Sequence, residues 1–301
     1  MSDVVVAIPT FHRPEQLAGL LDALADQVAL VGAEIIVIDN DPEGSAAPVA
    51  AARSVRHVVE PARGLAAVRN RALDEAADAS ALVFIDDDEV PADDWLATLV
   101  SRWQHSGAAA VSGRVETVFP DGFRDAWITD GGFFRRVRFD DGARQAAAAT
   151  NNLLLDLGFV RRHGLRFDER FALSGGEDIF FTKQLVRAGG TIVSCPDALV
   201  HDVVDPARLN RRWVLRRAYR VGTTAVQTDL GLGGGLRRGL VVRAKALAGG
   251  AARVAIGGAR WAAGGLLRSS GHSARGARAA WRGAGMVMGA LGRRYQEYAL
   301  R

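Results

Sequence analysis

The 301-residue sequence predicts an α/β protein: a doubly wound, mostly parallel sheet with a basic helical appendage at its C-terminal end. Three observations lead there. In the first hundred residues, short continuous apolar runs alternate with stretches of helical periodicity, the rhythm of parallel strands joined by crossover helices. The apolar run Ala81–Ile85 ends in four consecutive acids, Asp86-Asp87-Asp88-Glu89, where open parallel sheets collect ligands. Charge also divides along the chain. Residues 1–206 hold 19 Lys and Arg against 32 Asp and Glu, while residues 207–301 hold 19 against 2. An acidic α/β domain over 1–206 and a basic α-helical region over 207–301 are therefore expected.

The elements follow in order. Val4 to Ile8 reads as a buried strand, and Pro14 opens a helix with Leu17, Leu20, Leu21 and Leu24 on one face. Glu34 to Asp39 is a second strand, closed by the turn residues Asn40-Asp41-Pro42-Glu43-Gly44. Val55 to Glu60 gives a third strand and Gly64 to Ala79 a helix. The strand into the acid cluster is the fourth. Pro91 is then expected in the first turn of a helix bearing Trp95, Leu96, Leu99 and Val100. Ala108 to Phe119 and Asn151 to Leu155 read as further strands. The Gly-, Asp- and aromatic-rich stretch 120–142 between them has the length of a functional loop. Glu177 to Ala188 is a helix stopped by Gly189-Gly190, followed by the strand Thr191–Cys195. From Pro206 onward there is no strand signal.

Composition excludes several classes. With one cysteine, Cys195, no internal disulfide forms, and its place at the end of an apolar run predicts a buried, inert thiol. The N-terminus MSDVVVAIPT has neither the basic start nor the long apolar core of a signal peptide, and no apolar stretch has spanning length. A cytoplasmic protein is expected.

The acids fall in three sets. Asp39 ends the second strand, where it can accept hydrogen bonds from a base or ribose. Asp86, Asp87 and Asp88 end the fourth, and need a positive charge from counterions, a nearby Lys or Arg, or a metal ion. Glu177 and Asp178 follow Ser174-Gly175-Gly176 at a helix start, where acids also complement the helix dipole.

The segments VVVAIPTFHRPEQL, EIIVIDND, RGLAAVRNRAL, FIDDDEVPADDWL and GGEDIFFTKQLVRAGGTIVSCPDALVH, in this order and spacing, resemble the family 2 glycosyltransferases over roughly residues 3–220. The branch that builds bacterial surface polysaccharides, with its succinoglycan-type glucosyltransferases, is the most similar. The resemblance implies the GT-A fold and a nucleotide-sugar donor, UDP-linked by family bias. It makes Asp86 a ribose contact, Asp88 a ligand of Mn²⁺ or Mg²⁺, and Asp87 a solvated middle position. It implies that Asp178 is the general base of an inverting transfer, with Glu177 near the acceptor. Pro9, Thr10 and Arg13 match the first nucleotide-contacting loop; Arg63, Arg69 and Asn70 match a segment near base or phosphates. For Arg69 a solvated helix arginine is an equal reading, and His12 reads as a surface residue. His201 stands where relatives place a His or Glu, as a metal ligand, a phosphate contact or a structural imidazole.

In the basic region, arginines recur at 253, 260, 268, 275 and 282, which on one continuous helix form a single stripe. With Trp261 and Trp281 as anchors, this reads as an element lying on an anionic membrane surface; an Arg face on helices packed over the domain is the other reading. The Gly pairs at 249, 257 and 264 weaken an isolated helix and so demand a partner surface. The expected partners are a nucleotide-diphosphate sugar, a glycan or lipid-linked glycan acceptor, and the inner membrane face. Nucleic acid is not expected, because the tail lacks the interleaved aromatics of stacking platforms. Two alternatives stand beside this reading. A nucleotidyltransferase making nucleotide sugars would open with a Gly-rich phosphate loop, which Ile8-Pro9-Thr10-Phe11 is not. A degenerate-enzyme scaffold with a nucleic-acid-binding tail would have no use for intact acid motifs.

Overall fold

The computed structural model describes residues 3–171 and 175–293; Ser174, named above, lies outside them. The chain divides into two compact units. The first holds residues up to Glu116, Arg136–Ala172 and Glu177–Val203; the second holds Thr117–Arg135, Leu173–Gly176 and Val204 onward. The last division falls between Val203 and Val204, and two upstream segments belong with the C-terminal region.

In the first unit the order is β1 (Val4–Thr10), α1 (Pro14–Val31), β2 (Glu34–Asp39), α2 (Ala47–Ala51), β3 (Arg56–Val59), α3 (Leu65–Glu75), β4 (Ala81–Ile85), β5 (Glu89–Pro91) and α4 (Trp95–Ser106). Then come β6 (Ala110–Val118), α5 (Ala126–Asp130) in the second unit's inserted segment, β7 (Arg144–Gln145), β8 (Asn152–Asp156), α6 (Leu157–Arg162), α7 (Glu177–Arg187) and β9 (Ile192–Val203). The strands form one nine-stranded sheet in the order β3-β2-β1-β4-β8-β6-β9-β5, with β7 also on β9. β1 pairs in parallel with β2 and β4, and β2 with β3. From β8 outward the pairing turns antiparallel: β8 on β4 and β6, β5 and β7 on β9.

The continuous apolar runs have the physical cause expected of them: both faces of the sheet are covered. On one face Val4, Val6 and Ile8 pack with Leu17, Leu20, Leu21 and Leu24 of α1 and Trp95 of α4. On the other, Val5 and Ala7 pack with Val68 and Leu73 of α3 and Phe181 of α7. Where the strands change direction, Asn152 ties three elements together. Its amide donates to the carbonyls of Arg114 and Ala198, both at 2.9 Å, and accepts from the Trp95 indole at 2.9 Å.

Three expectations are corrected. Pro91 closes β5 instead of opening a helix, and α4 starts at Trp95; a proline is tolerated there because β5 is an edge strand. β9 runs eight residues past Cys195, to Val203, through Pro196, which lies between the residues paired with β7 and those paired with β5. The 120–142 stretch is not one irregular loop: it carries α5, its residues up to Arg135 lie in the second unit, and 136–142 return to the first. Phe119, Phe123, Trp127, Phe133 and Phe134 join Val214 and Trp213 in one cluster, with Phe134 stacked on Trp213 at 5.9 Å. Cys195 is buried as expected.

The second unit is built on α8 (Arg211–Gly231), α9 (Gly235–Leu266) and α10 (Ser270–Ala290). Asn210 and Ser269 cap α8 and α10 by accepting the backbone N–H groups of Trp213 and His272. The arginines at 253 to 282 do not share one helix, because the chain turns at Leu267–Ser269 and α10 folds back on α9. Glycines make that possible. A Cβ on Gly250 would lie 2.8 Å from the Gly283 carbonyl, one on Gly257 2.6 Å from the Ala280 nitrogen, and one on Gly264 2.3 Å from the Ser273 nitrogen. A seven-residue glycine spacing thus runs down the α9–α10 seam, and Gly285 does the same work against Tyr219 of α8. The partner surface these glycines require is within the unit. Among the described residues no helix is long and apolar enough to cross a membrane.

This seam makes a sharp prediction. Gly285→Ala would put a methyl 2.0 Å from the Tyr219 carbonyl, whereas Gly258→Ala meets nothing within 4 Å. The first should lower stability by roughly 1–3 kcal/mol or more. The second should raise it by up to about 1 kcal/mol through helix propensity. Thermal unfolding of the two variants against the wild-type chain checks both signs.

Candidate functional site

The carboxyl ends of β1, β2 and β4 lie side by side, so Thr10, Asp39 and Asp86 arrive at one edge of the sheet. Beyond β4 the chain turns tightly, with the Glu89 N–H donating to the Asp86 carbonyl at 3.2 Å. Thr10 and Asp87 are buried, and the Thr10 hydroxyl donates to Asp87 Oδ2 at 2.7 Å. Arg13, from the turn before α1, reaches across with one nitrogen to Asp87 Oδ1 at 2.9 Å and Asp88 Oδ2 at 2.8 Å. Burial opposes a charged Arg13, but the two carboxylates outweigh it and raise its pKa. Asp87 is therefore not the solvated middle position expected of it; it is the acid most firmly held.

Asp86 is in a different electrostatic position. Burial pushes its carboxyl up to about 7; Arg69 opposes the rise, and Asp88 and Asp87 add to it. Glu89, fully within the protein, is held well above its ordinary range by burial and then by Asp86. It braces the turn by accepting from Asn151 at 2.5 Å and from the Asp86 N–H at 3.4 Å. Arg136, with its ion-pair partner Asp202, completes the surroundings of Asp86 and Glu89. Neither Asn151, Arg136 nor Asp202 was visible as a site residue. They come from remote segments, and only the antiparallel pairing of β5 with β9 brings Asp202 opposite Glu89.

The remaining residues fall into clear groups. Asp39 has no exposed side-chain surface; it accepts from the Asp41 and Ala46 N–H groups at 3.0 and 2.8 Å and lies 3.2 Å from His57 Nε2. It organises its own loop in this structure, and a base or ribose would have to displace those contacts. Pro9 is buried in β1 opposite Ile38. Arg63 is exposed at the start of α3. Asn70 clamps Phe167, donating to its carbonyl and accepting its N–H, both at 2.9 Å. Arg69 is buried and ion-paired with Glu177, so the solvated reading of Arg69 fails and Glu177 faces inward. Among the described residues, one oxygen of Glu177 and the Arg69 Nε have no hydrogen-bond partner. Burial raises the Glu177 pKa, with Arg69 opposing. Asp178, one residue on, is partly exposed and takes the Ile179 N–H at 2.6 Å. His201 stands opposite Val90, with a buried Nδ1 that has no hydrogen-bond partner among the described residues. His12 is exposed and lies 3.4 Å from Asp41.

The raised pKa of Asp86 has a consequence for the metal-free protein. The native state keeps this proton to about pH 7, whereas the unfolded chain gives it up near the ordinary value of 3.8. Stability should therefore fall as pH rises across that window and level off above it, by an amount on the order of 2–4 kcal/mol. Asp86→Asn should flatten the decline in chemical denaturation series between pH 4 and 8.

Comparisons with known proteins agree with this architecture. A family model described as "Glycosyl transferase family 2" matches residues 5–157. The chain is 34% identical over 228 residues to the succinoglycan biosynthesis protein ExoM of Rhizobium meliloti (strain 1021), covering 73% of this chain and 72% of that protein. The mannosyltransferase PcManGT from Pyrobaculum calidifontis, solved with GDP-Man and Mn²⁺, matches with a TM-score of 0.60 at 18% identity, over 93% of this chain and 86% of that one. S. aureus TarS 1–349 in complex with UDP-GlcNAc matches with a TM-score of 0.54 at 14% identity, over 75% and 71%. Of a longer TarS chain this protein spans 42%. The solved structures establish the GT-A fold; the family model over half of the sequence and the relative a third identical over most of it establish more. The chain belongs to glycosyl transferase family 2 and is a glycosyltransferase.

Proposed function

We propose that this chain moves a sugar from a nucleotide-diphosphate donor, UDP-linked by family bias, to a hydroxyl of a glycan or lipid-linked glycan, with inversion at the anomeric carbon. The observation that carries the reading is the carboxylate turn 86–88 at the end of β4, where Asp86 is buried and Arg13 braces Asp87 and Asp88. Relatives with bound GDP-Man or UDP-GlcNAc support a nucleotide sugar as the donor class. The work belongs to cell-surface polysaccharide synthesis, as the likeness to a succinoglycan biosynthesis protein suggests.

A divalent cation fits these residues in a limited way. Among the described residues no three His, Cys, Asp or Glu are grouped to hold one. Mg²⁺ and Mn²⁺ suit oxygen ligands, and Mg²⁺ is commonly held by one or two carboxylates with phosphates of the substrate supplying the rest. Asp88 is proposed as the protein's carboxylate ligand. Asp86, whose proton now stands where a cation would favour the ionised form, is proposed beside it against the ribose. His201 offers a buried Nδ1 with no hydrogen-bond partner among the described residues. Once bound, such an ion offsets the charge that grows on the departing diphosphate.

The protein's own residues supply the rest. Asp178 is partly exposed and is proposed to take the proton from the acceptor hydroxyl as it attacks. Glu177 is held inward by Arg69, so its proposed role moves from touching the acceptor to fixing the start of α7 beneath Asp178. Pro9 and Thr10 shape the donor loop through the Thr10–Asp87 bond, and Arg13 and Arg63 are proposed to meet the donor's phosphates. The second unit is proposed to hold the enzyme on anionic lipid at the inner face of the cell membrane.

Two measurements test this. A screen of nucleotide sugars with Mn²⁺, read as released nucleotide diphosphate, should find a turned-over donor, and Asp88→Ala or excess EDTA should abolish the release. Full turnover in EDTA would remove the metal from the account. Asp178→Asn should leave donor binding by calorimetry intact while transfer falls about 10²-fold or more. An unchanged rate would reassign the base.

A further inference from the structure

Between Gly235 and Arg293 the chain holds ten arginines and one lysine and not a single Asp or Glu. The hairpin of α9 and α10 that carries them leaves large apolar side chains in solvent. Leu266 is 87% exposed, Leu236 80%, Leu267 73% and Ile256 71%. Leu240, Leu247, Val254 and Trp261 repeat every seven residues as an exposed stripe on α9. Folding also gathers the cations: Arg278 is held below the usual arginine range by burial and then by Arg282, Arg135, Arg275 and Arg260, and Arg282 by burial and Arg253. A second copy of this chain is a poor occupant for such a face, since cations would meet cations. Nucleic acid would satisfy the charge but leave the leucines in water.

Between α8 and α10 lies an open groove of about 490 Å³ lined by Arg212, Leu215, Arg216, Tyr219 and Trp281. Its walls combine two charges with a mainly apolar interior. Other arginines of α8 are committed within the unit: Arg211 to Asp125 at 3.5 Å, and Arg217 to the Phe133 carbonyl at 3.3 Å and over the Phe134 and Trp213 rings. Arg212 and Arg216, one helical turn apart, are exposed and make no hydrogen bond or ion pair among the described residues. Tyr219 and Trp281 meet edge to face at 6.4 Å and form the apolar floor. Rings with a polar edge suit the boundary between headgroups and acyl chains.

We propose that the α8–α10 groove is a binding site for one anionic phospholipid, its phosphate held between Arg212 and Arg216 and the first part of its acyl chain laid against Leu215, Tyr219 and Trp281. The site sharpens the membrane reading of the second unit, on which it rests, by turning a diffuse basic surface into a stoichiometric lipid contact. It has no bearing on the sugar-transfer residues.

The test uses the full chain and dioctanoyl phosphatidylglycerol below its micellar concentration, so that only a discrete site can bind. Calorimetry should show saturable binding of one lipid per chain. Arg212→Gln/Arg216→Gln should weaken it about tenfold or more, whereas Arg237→Gln/Arg238→Gln, which removes equal charge from α9, should leave it unchanged. Quenching of tryptophan fluorescence by a brominated analogue should drop in Trp281→Phe. Circular dichroism and nucleotide-diphosphate release, measured on each variant, separate loss of the groove from loss of fold or of the enzyme reading. Vesicle binding without monomer binding would overturn the groove and leave only diffuse attraction. Equal binding of inorganic phosphate, equal loss in the two double variants, or tighter binding of a DNA oligonucleotide with the same arginine dependence would each overturn it too.

Discussion

Carboxylates crowded on one turn, at the end of a strand that admits no water, are the constraint around which the first unit is arranged. Asp86, Asp87, Asp88 and Glu89 cannot all ionise there without help, and each is treated differently. Asp87 is satisfied by Thr10 and Arg13, Asp88 shares Arg13, Glu89 is buried against Asn151 and favours its proton, and Asp86 is left with an elevated pKa. The turn is stable because its charge is distributed unequally. That same inequality leaves one carboxyl, Asp86, with a pKa raised chiefly by burial at the edge where the parallel strands end. Loop geometry at β1, the β5–β9 pairing and the placement of Arg136 all serve this single electrostatic problem.

A parallel logic governs α7. Glu177 and Arg69 form a pair buried on both sides, whose removal from water is offset by their mutual attraction and, for Arg69, by Asp86 and Asp178 nearby. Such a pair contributes little net stability, but its ion pair fixes the orientation of Glu177. Asp178, on the next residue of the same first turn, inherits that fixed position while remaining partly exposed. The division of labour between adjacent acids is thus set by burial, not by residue type.

The second unit solves a different problem, that of packing helices rich in arginine and poor in large apolar residues. Glycine lets α9 and α10 approach until backbones touch, so dispersion contacts between main chains take the place of interdigitated side chains. The aromatic cluster from residues 117–135 supplies the conventional core that the helices lack. Because the seam uses glycine, the large side chains of α9 are freed to point outward, which is why an apolar stripe and a cation cluster coexist on one hairpin.

Much of this protein is written in local sequence. Apolar runs covered on both faces, Pro14 at a helix start, the acids after Ile85 and the charge change near residue 206 each depend on neighbours in the chain, and each could be read without coordinates. So could the family, because its motifs are contiguous segments. Tertiary structure alone decided the rest. That Arg13 is the cation on Asp87 and Asp88, that Glu177 looks inward to Arg69, and that Asp202 faces Glu89 are contacts across 74, 108 and 113 positions of sequence. The glycines were legible as weak points for an isolated helix, but not the hairpin that uses them, because a turn at Leu267–Ser269 is a small local event with a large spatial effect. Local propensity records which groups must be buried or paired; only the folded chain determines with whom.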